Sequence, residues 1–259
     1  MKTILLQGIC YDEKSSFLKG ASKAPPLIRD YLYSDSSNSF TETGLDIDSL
    51  DLKDMGDFVP ADYFETERIT SRHIRDGARL ITLGGDHSIT YPIIKAYNQV
   101  HGPFDLLQID AHGDLYDEFE GDKYSHACPF ARIMEGGHVS RLVQAGIRTM
   151  TTHQKEQAER FGVEVHEMKD YRLEALPEWP RPLYISLDMD CFDPAYAPGV
   201  SHHEPGGFTS RQVIELIHGL DAEIIGTDIV EYNPERDVQG ITGALAAKML
   251  KEIMGKMVG

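Results

Sequence analysis

Short, almost wholly apolar runs alternate along this chain with segments of helical spacing, and no other feature limits its fold as strongly. The strand-like runs are Thr3–Ile9, Arg79–Leu83, Phe104–Ile109, Arg141–Ile147, Val163–His166, Leu183–Leu187 and Glu223–Val230. Helical patterns cover Lys23–Tyr33, Ala61–Asp76, His87–Val100, Thr151–Phe161, Ser210–Gly219 and Val238–Met257. Strands that are apolar throughout, rather than at every second residue, suit a parallel sheet covered on both faces. The alternation therefore predicts an α/β fold: a three-layer α/β/α sandwich around a mostly parallel sheet. No internal repeat or low-complexity segment interrupts it, and the polar stretch Ser34–Ser39 reads as a loop. One domain over residues 1–259 is expected.

Three groups of polar residues follow three of these strands. They are His87 in Gly84-Gly85-Asp86-His87-Ser88, the Asp110-x-His112-x-Asp114 run, and the Asp188-x-Asp190 run. In an open α/β sheet, ligands gather outside the carboxyl ends of the strands, which is where these groups fall. Spacing by two matters because side chains in extended backbone alternate, so Asp110, His112 and Asp114 can converge on one point, and so can Asp188 and Asp190. Carboxylates mixed with imidazoles suit hard-to-borderline divalent cations such as Mn²⁺. Four carboxylates carry too much charge for one ion, so two cations sharing bridging carboxylates are expected. Capping and turn chemistry would explain any one of these residues, and Asp86 fits a cap. It does not explain six grouped at strand ends.

Charge and cysteine content narrow the partners. A formal net charge of −17 argues against nucleic acid and anionic membrane surfaces and favours a neutral or cationic small substrate. No stretch approaches the roughly 18 to 20 apolar residues that span a bilayer. The opening Met1–Gly8 run is interrupted too soon for a signal peptide and reads as a first strand. Three widely spaced cysteines, Cys10, Cys128 and Cys191, do not make a disulfide framework, and a cytoplasmic location is the expectation.

Taken together, Gly84–Ser88, Asp110–Asp114, Ser186-Leu187-Asp188-Met189-Asp190-Cys191-Phe192-Asp193-Pro194 and Asp228-Ile229-Val230-Glu231-Tyr232-Asn233-Pro234 resemble the motifs of the ureohydrolases, the arginase and agmatinase family. The Gly8–Asp12 and Ala24–Arg29 runs look like agmatinase-type entries to the domain. The resemblance runs from about residue 8 to the C-terminus, in the family's order and spacing. It implies two Mn²⁺ ions per chain and hydrolysis of a guanidinium to urea and an amine. It also implies that His87, Asp110, Asp114 and Asp188 hold one ion and His112, Asp110, Asp188 and Asp190 the other. Two ions roughly 3.5–4 Å apart can hold a hydroxide between them for attack on the guanidinium carbon. A homo-oligomer, a trimer or hexamer, is implied as well.

Two further residues take roles by the same resemblance. His126, in Tyr124-Ser125-His126-Ala127-Cys128-Pro129-Phe130, matches the family's proton shuttle, and an ordinary imidazole pKa of about 6.5 suits that task. Ala127 and Cys128 depart from the family pattern of that loop. Glu231, at the end of a strand, would grip the guanidinium through paired charge-assisted hydrogen bonds. The acids Asp117, Glu118, Glu120 and Asp122 follow the second ligand group, and such a run is either a solvated face or an attractor for a cationic tail. Agmatine is accordingly the first expectation for substrate. Arginine, another guanidino acid or a formimino compound such as formiminoglutamate are the alternatives. In the divergent Pro198–Gly207 loop, His202 and His203 are candidates for substrate contact. Asp193 and Asp228 are expected to orient backbone or ligands, and Cys191 to be a small buried apolar residue. A single-zinc deacetylase-like enzyme and a non-catalytic binding protein are the competing classes. The first would not need Asp114 and Asp190 beside His87, and the second would be expected to have lost ligands.

Overall fold

The protein is described from a computed structural model covering residues 2–74, 77–173 and 176–259. Its strands are β1 (Thr3–Ile9), β2 (Leu52–Phe58), β3 (Ala78–Leu83), β4 (Asp105–Ile109), β5 (Arg141–Ile147), β6 (Glu164–Glu167), β7 (Leu183–Asp188) and β8 (Ile224–Val230). They form one sheet in the order β2-β1-β3-β8-β7-β4-β5-β6. Every neighbouring pair runs parallel. The helices are α1 (Ala24–Leu32), α2 (Glu65–His73), α3 (Thr90–His101), α4 (Pro129–Glu135), α5 (Thr152–Phe161), α6 (Ser210–Gly219) and α7 (Ile241–Val258).

Strand residues alternate between two apolar cores, which is why the runs carry no polar face. On β1, Ile4 and Leu6 join the core built with α1, α6 and α7, while Leu5 and Ile9 face α2, α3, α4 and α5. β7 repeats the pattern, with Leu183, Ile185 and Leu187 on the first side and Tyr184 on the second. The result is the expected three-layer sandwich. β3, β8, β7 and β4 are consecutive in the middle of the sheet, so the loops leaving their carboxyl ends meet over one spot.

Two elements escape the sequence reading. β2 is an edge strand, exposed along most of its length, and pairs only with β1. With no buried face it has no apolar run to betray it. Its acids instead meet α1: Arg29 Nε lies 2.7 Å from Asp54, and its Nη1 donates to Asp57, a charged edge of the kind that discourages pairing with another chain. α4 is a short helix that Pro129 opens inside a segment read as loop. Boundaries shift elsewhere. The expected helix from Ala61 starts at Glu65, and its last two positions, 75–76, lie outside the described residues. His87–Ile89 is a 3₁₀ turn ahead of α3.

Candidate metal centre

The first ligand position is set by a close backbone crossing. At Gly85 a side chain would run into the Tyr11 carbonyl, against which Asp86 N donates at 3.0 Å. Asp86 then caps the turn by accepting from Ser88 N at 3.1 Å, as the sequence suggested. His87 emerges buried beneath the ends of β4 and β7.

Asp110 and Asp188 each hold the residue two further on. Asp110 Oδ1 accepts from His112 N, and Asp188 Oδ1 from Asp190 N, both at 2.7 Å. These short turns, not extended alternation, bring the groups together. Met189–Cys191 is a 3₁₀ turn, and Asp114 has a left-handed φ of 46°. Such a conformation is uncommon for a residue with a side chain and persists only where the surroundings enforce it.

The result is two adjoining groups. His87 Nδ1 lies 3.1 Å from Asp110 Oδ2, 3.2 Å from Asp114 Oδ2 and 3.0 Å from Asp188 Oδ2. His112 Nδ1 lies 2.9 Å from Asp190 Oδ2 and 3.6 Å from Asp110 Oδ1. Asp110 thus turns one oxygen to each group. Asp188 brings its Oδ2 to the His87 group, while its Oδ1, like that of Asp110, also accepts a backbone N–H. All six sequence-nominated residues are here, and the sets His87–Asp110–Asp114 and Asp110–His112–Asp190 each have the geometry to hold a metal ion.

The donor chemistry fits cations. His87 Nδ1 is buried and makes no hydrogen bond among the described residues despite its three carboxylate neighbours. Its other nitrogen explains why. Tyr184 and Thr90 donate to Asp228 Oδ2, and Ser186 Oγ donates to Asp228 Oδ1 at 2.6 Å. The Ser186 oxygen is then left to accept from His87 Nε2 at 2.9 Å. With the hydrogen on Nε2, the Nδ1 lone pair aims at the carboxylates, the orientation a metal ligand needs. Protonation is the competing way to balance this charge. Burial opposes a charged ring, but Asp110, Asp114 and Asp188 outweigh it and raise His87 above its ordinary pKa. Burial and then Asp190 and Asp110 push Asp188 well above the carboxylate range, while burial and Asp110 bring Asp114 to about 6.

A cleft of about 250 Å³ opens over both groups, with Ser16, Tyr116, Phe119, His126, His202 and Glu231 in its walls. Glu231 follows β8 with φ 63°. Its Oε1 accepts from His87 N and from His126 Nδ1, each at 2.8 Å. That arrangement departs from the expected two-oxygen grip on a guanidinium, because only Oε2 is left for it. His126 is buried, which lowers an imidazole pKa, yet Glu231 raises it to about 9.

Other nominated residues separate. His202 lines the cleft, its ring centroid 5.2 Å from that of His126, whereas His203 spends Nε2 on the Pro198 carbonyl at 2.7 Å. Asp193 braces its own loop by accepting from Ala195 N and Gly206 N. Cys191 is buried. The acids after Asp114 stay outside: Glu118 and Glu120 are exposed, Asp117 sits 2.9 Å from His153, and Asp122 pairs with Lys14 at 2.7 Å.

Three residues were given no role from the sequence. Ser186 is one, Ser16 another. The third is Arg148, whose guanidinium donates to the carbonyls of Asp190 at 2.7 Å, Glu204 at 2.8 Å, Cys191 at 3.1 Å and Phe192 at 3.2 Å. It ties the Asp190 turn to the Glu204 loop of the cleft wall. Its position directly after β5, at the ligand edge of the sheet, was the available signal.

Comparison with known proteins gives a consistent picture. The model of the arginase family matches residues 2–255. Arginase 1, mitochondrial, of Arabidopsis thaliana is 44% identical over 97% of this chain and 80% of its own length. The solved arginase of Medicago truncatula superposes with a TM-score of 0.93 at 42% identity, covering 99% of this chain and 87% of that one. The agmatine ureohydrolase of Thermoplasma volcanium gives 0.88 at 32% identity over 99% of this chain and 90% of its own. The Arabidopsis name overturns the expected cytoplasmic location. Free cysteines separate oxidising from reducing compartments but do not separate a cytoplasm from an organelle interior. Among the described residues, no helix is long and apolar enough to cross a membrane.

Proposed function

This chain belongs to the arginase family and is a hydrolase of C–N bonds in linear amidines; we propose that it uses two divalent cations to release urea from a small guanidino compound. The observation that carries the proposal is Asp110, which turns one oxygen to the His87 group and the other to the His112 group beneath a single cleft. A single-zinc enzyme would have no use for both groups, and a binding protein none for His126 beside them. The carboxylate-rich donor set favours Mn²⁺ over softer ions. One catalytic domain over residues 1–259 is supported by the single sheet.

Bound there, the two cations would lower the pKa of a water towards roughly 7 and so supply the nucleophile. The chain's own groups handle the substrate. Glu231 Oε2 faces the guanidinium while Oε1 stays with His87 N and His126. His126 stores the proton that the departing amine requires. Asp228, acting through Ser186, keeps the His87 lone pair turned inward.

Arginine and agmatine differ by a carboxylate, so the outer part of the cleft decides between them. Agmatine was favoured by the acids that follow Asp114, and those acids do not line the cleft. Thr149, Thr151 and Gln154 do, offering neutral hydrogen-bonding groups to a carboxylate. With the arginases among its relatives, L-arginine is the leading substrate. Agmatine is the second, favoured by Glu204 in the wall and by the lack of any lysine or arginine among the described lining residues. The decisive experiment measures urea or ammonia release by Mn²⁺-loaded protein across arginine, agmatine, other guanidino acids and formiminoglutamate, with metal content determined in parallel. Two ions per chain with urea from arginine is the expected result. One zinc per chain, or no product from any compound, would overturn it.

A further inference from the structure

Both nitrogens of His126 are already engaged. Nδ1 donates to Glu231 Oε1 at 2.8 Å. In the neutral ring Nε2 accepts the Ser16 backbone N–H at 3.2 Å; in the charged ring it donates instead to Ser16 Oγ, 2.8 Å away. A ring held at both ends has no nitrogen free to reach a departing amine. Ser16 does: it lines the cleft, and its hydroxyl can accept one hydrogen while giving up another. Carboxylate, imidazole and hydroxyl therefore stand in a row that ends in the cleft.

The loop carrying Ser16, between β1 and α1, is pinned on both sides of it. Lys14 N donates to Asp86 Oδ2 at 3.0 Å, His126 N donates to the Lys14 carbonyl at 3.2 Å, and Ser201 Oγ donates to the Leu18 carbonyl at 3.1 Å. Asp12 Oδ2 closes the loop by accepting from Gly20 N at 2.7 Å.

Resting on the amidinohydrolase reading, we infer that Ser16 is the group that delivers the proton of His126 to the leaving amine. As the C–N bond breaks and its electron pair passes to nitrogen, that nitrogen takes the Ser16 Oγ hydrogen. Oγ takes the Nε2 hydrogen of the His126 imidazolium in the same movement. Histidine is left neutral with Nδ1–H still on Glu231, serine is unchanged, and water restores the imidazolium for the next turnover.

Ser16→Ala removes the hydroxyl path, while Glu231 Oε1, which accepts from Nδ1 whether the ring is neutral or charged, keeps the alignment. Loaded wild type, Ser16→Ala, His126→Asn and the double variant are to be compared for kcat, KM and metal content. Ser16→Thr serves as the variant that restores a hydroxyl. The expected result is a kcat loss in Ser16→Ala comparable to that of His126→Asn, about 10²–10⁴-fold for a lost proton donor. Metal content and KM are unchanged, the double variant is no slower than His126→Asn, and threonine recovers part of the rate. Wild-type kcat in Ser16→Ala, or losses that multiply in the double variant, would overturn the relay and leave the amidinohydrolase reading intact. If loaded wild type itself releases no urea, both fall together.

Discussion

Two concentrations of acid in this sequence meet opposite fates. Asp110, Asp114, Asp188 and Asp190 are buried against two imidazoles, while Asp117, Glu118, Glu120 and Asp122 lie at or near the surface, solvated or paired with a histidine or lysine. Composition does not distinguish them. Position on the sheet does: the first set leaves the ends of β4 and β7, where neighbouring strands crowd like charges together. The second set occupies the loop that follows, where water screens each charge. Charge density alone therefore says little about a site; the energetic cost of holding it does.

The contrast is most exposed to Asp188→Asn. Removing that carboxylate should abolish urea release and lower the metal content measured by mass spectrometry. A variant with two ions and full turnover would make the buried acids no different from those of the loop. Asp228→Asn reaches the same cluster one step removed, through Ser186, and should weaken metal affinity by about 10–100-fold, the usual cost of losing a partner behind a histidine ligand. Unchanged affinity would separate His87 orientation from metal holding.

Acidity tests the cost of holding charge directly. Burial and Asp110 raise Asp114 from 3.8 to about 6, so in that window this group holds a proton in the folded metal-free chain that it has lost in the unfolded one. Its own contribution to stability should fall as pH climbs from about 4 to 6. Metal affinity should run the other way, weakening as pH drops through 6 because protons compete for the same oxygens. Thermal melts of chelated protein, with Asp114→Asn as the flattened control, check the first; titrations with Mn²⁺ check the second. At the small end, Asp117→Asn with Glu118→Gln and Glu120→Gln should change stability by less than about 1 kcal/mol, as exposed pairs do, and leave metal content and kcat alone. A large rise in KM for agmatine would instead make the loop a steering surface.

Legibility followed burial. β1 and β5 matched their expected limits because both of their faces are covered, which forces apolar residues throughout. β2 was invisible because its backbone pairs with β1 while its side chains meet solvent. The six ligand positions were legible because their types and spacing are local, although the expected extended backbone proved to be short turns and a left-handed Asp114. Glu231 was nominated for the substrate, yet the structure also gives its Oε1 to His126. The acids after Asp114 suggested a role that their exposure does not support.

By itself the sequence determined which strands would be covered on both sides and which carboxylates and imidazoles would stand at their ends, since periodicity and spacing act over a few residues. Only the tertiary structure decided that Ser16 meets His126 across 110 positions, that Arg148 clasps the Asp190 turn, and that Asp228 governs His87 through Ser186. Those contacts depend on the order in which parallel strands pack. Strand order is set by burial summed over the whole sheet, which no local stretch of residues encodes.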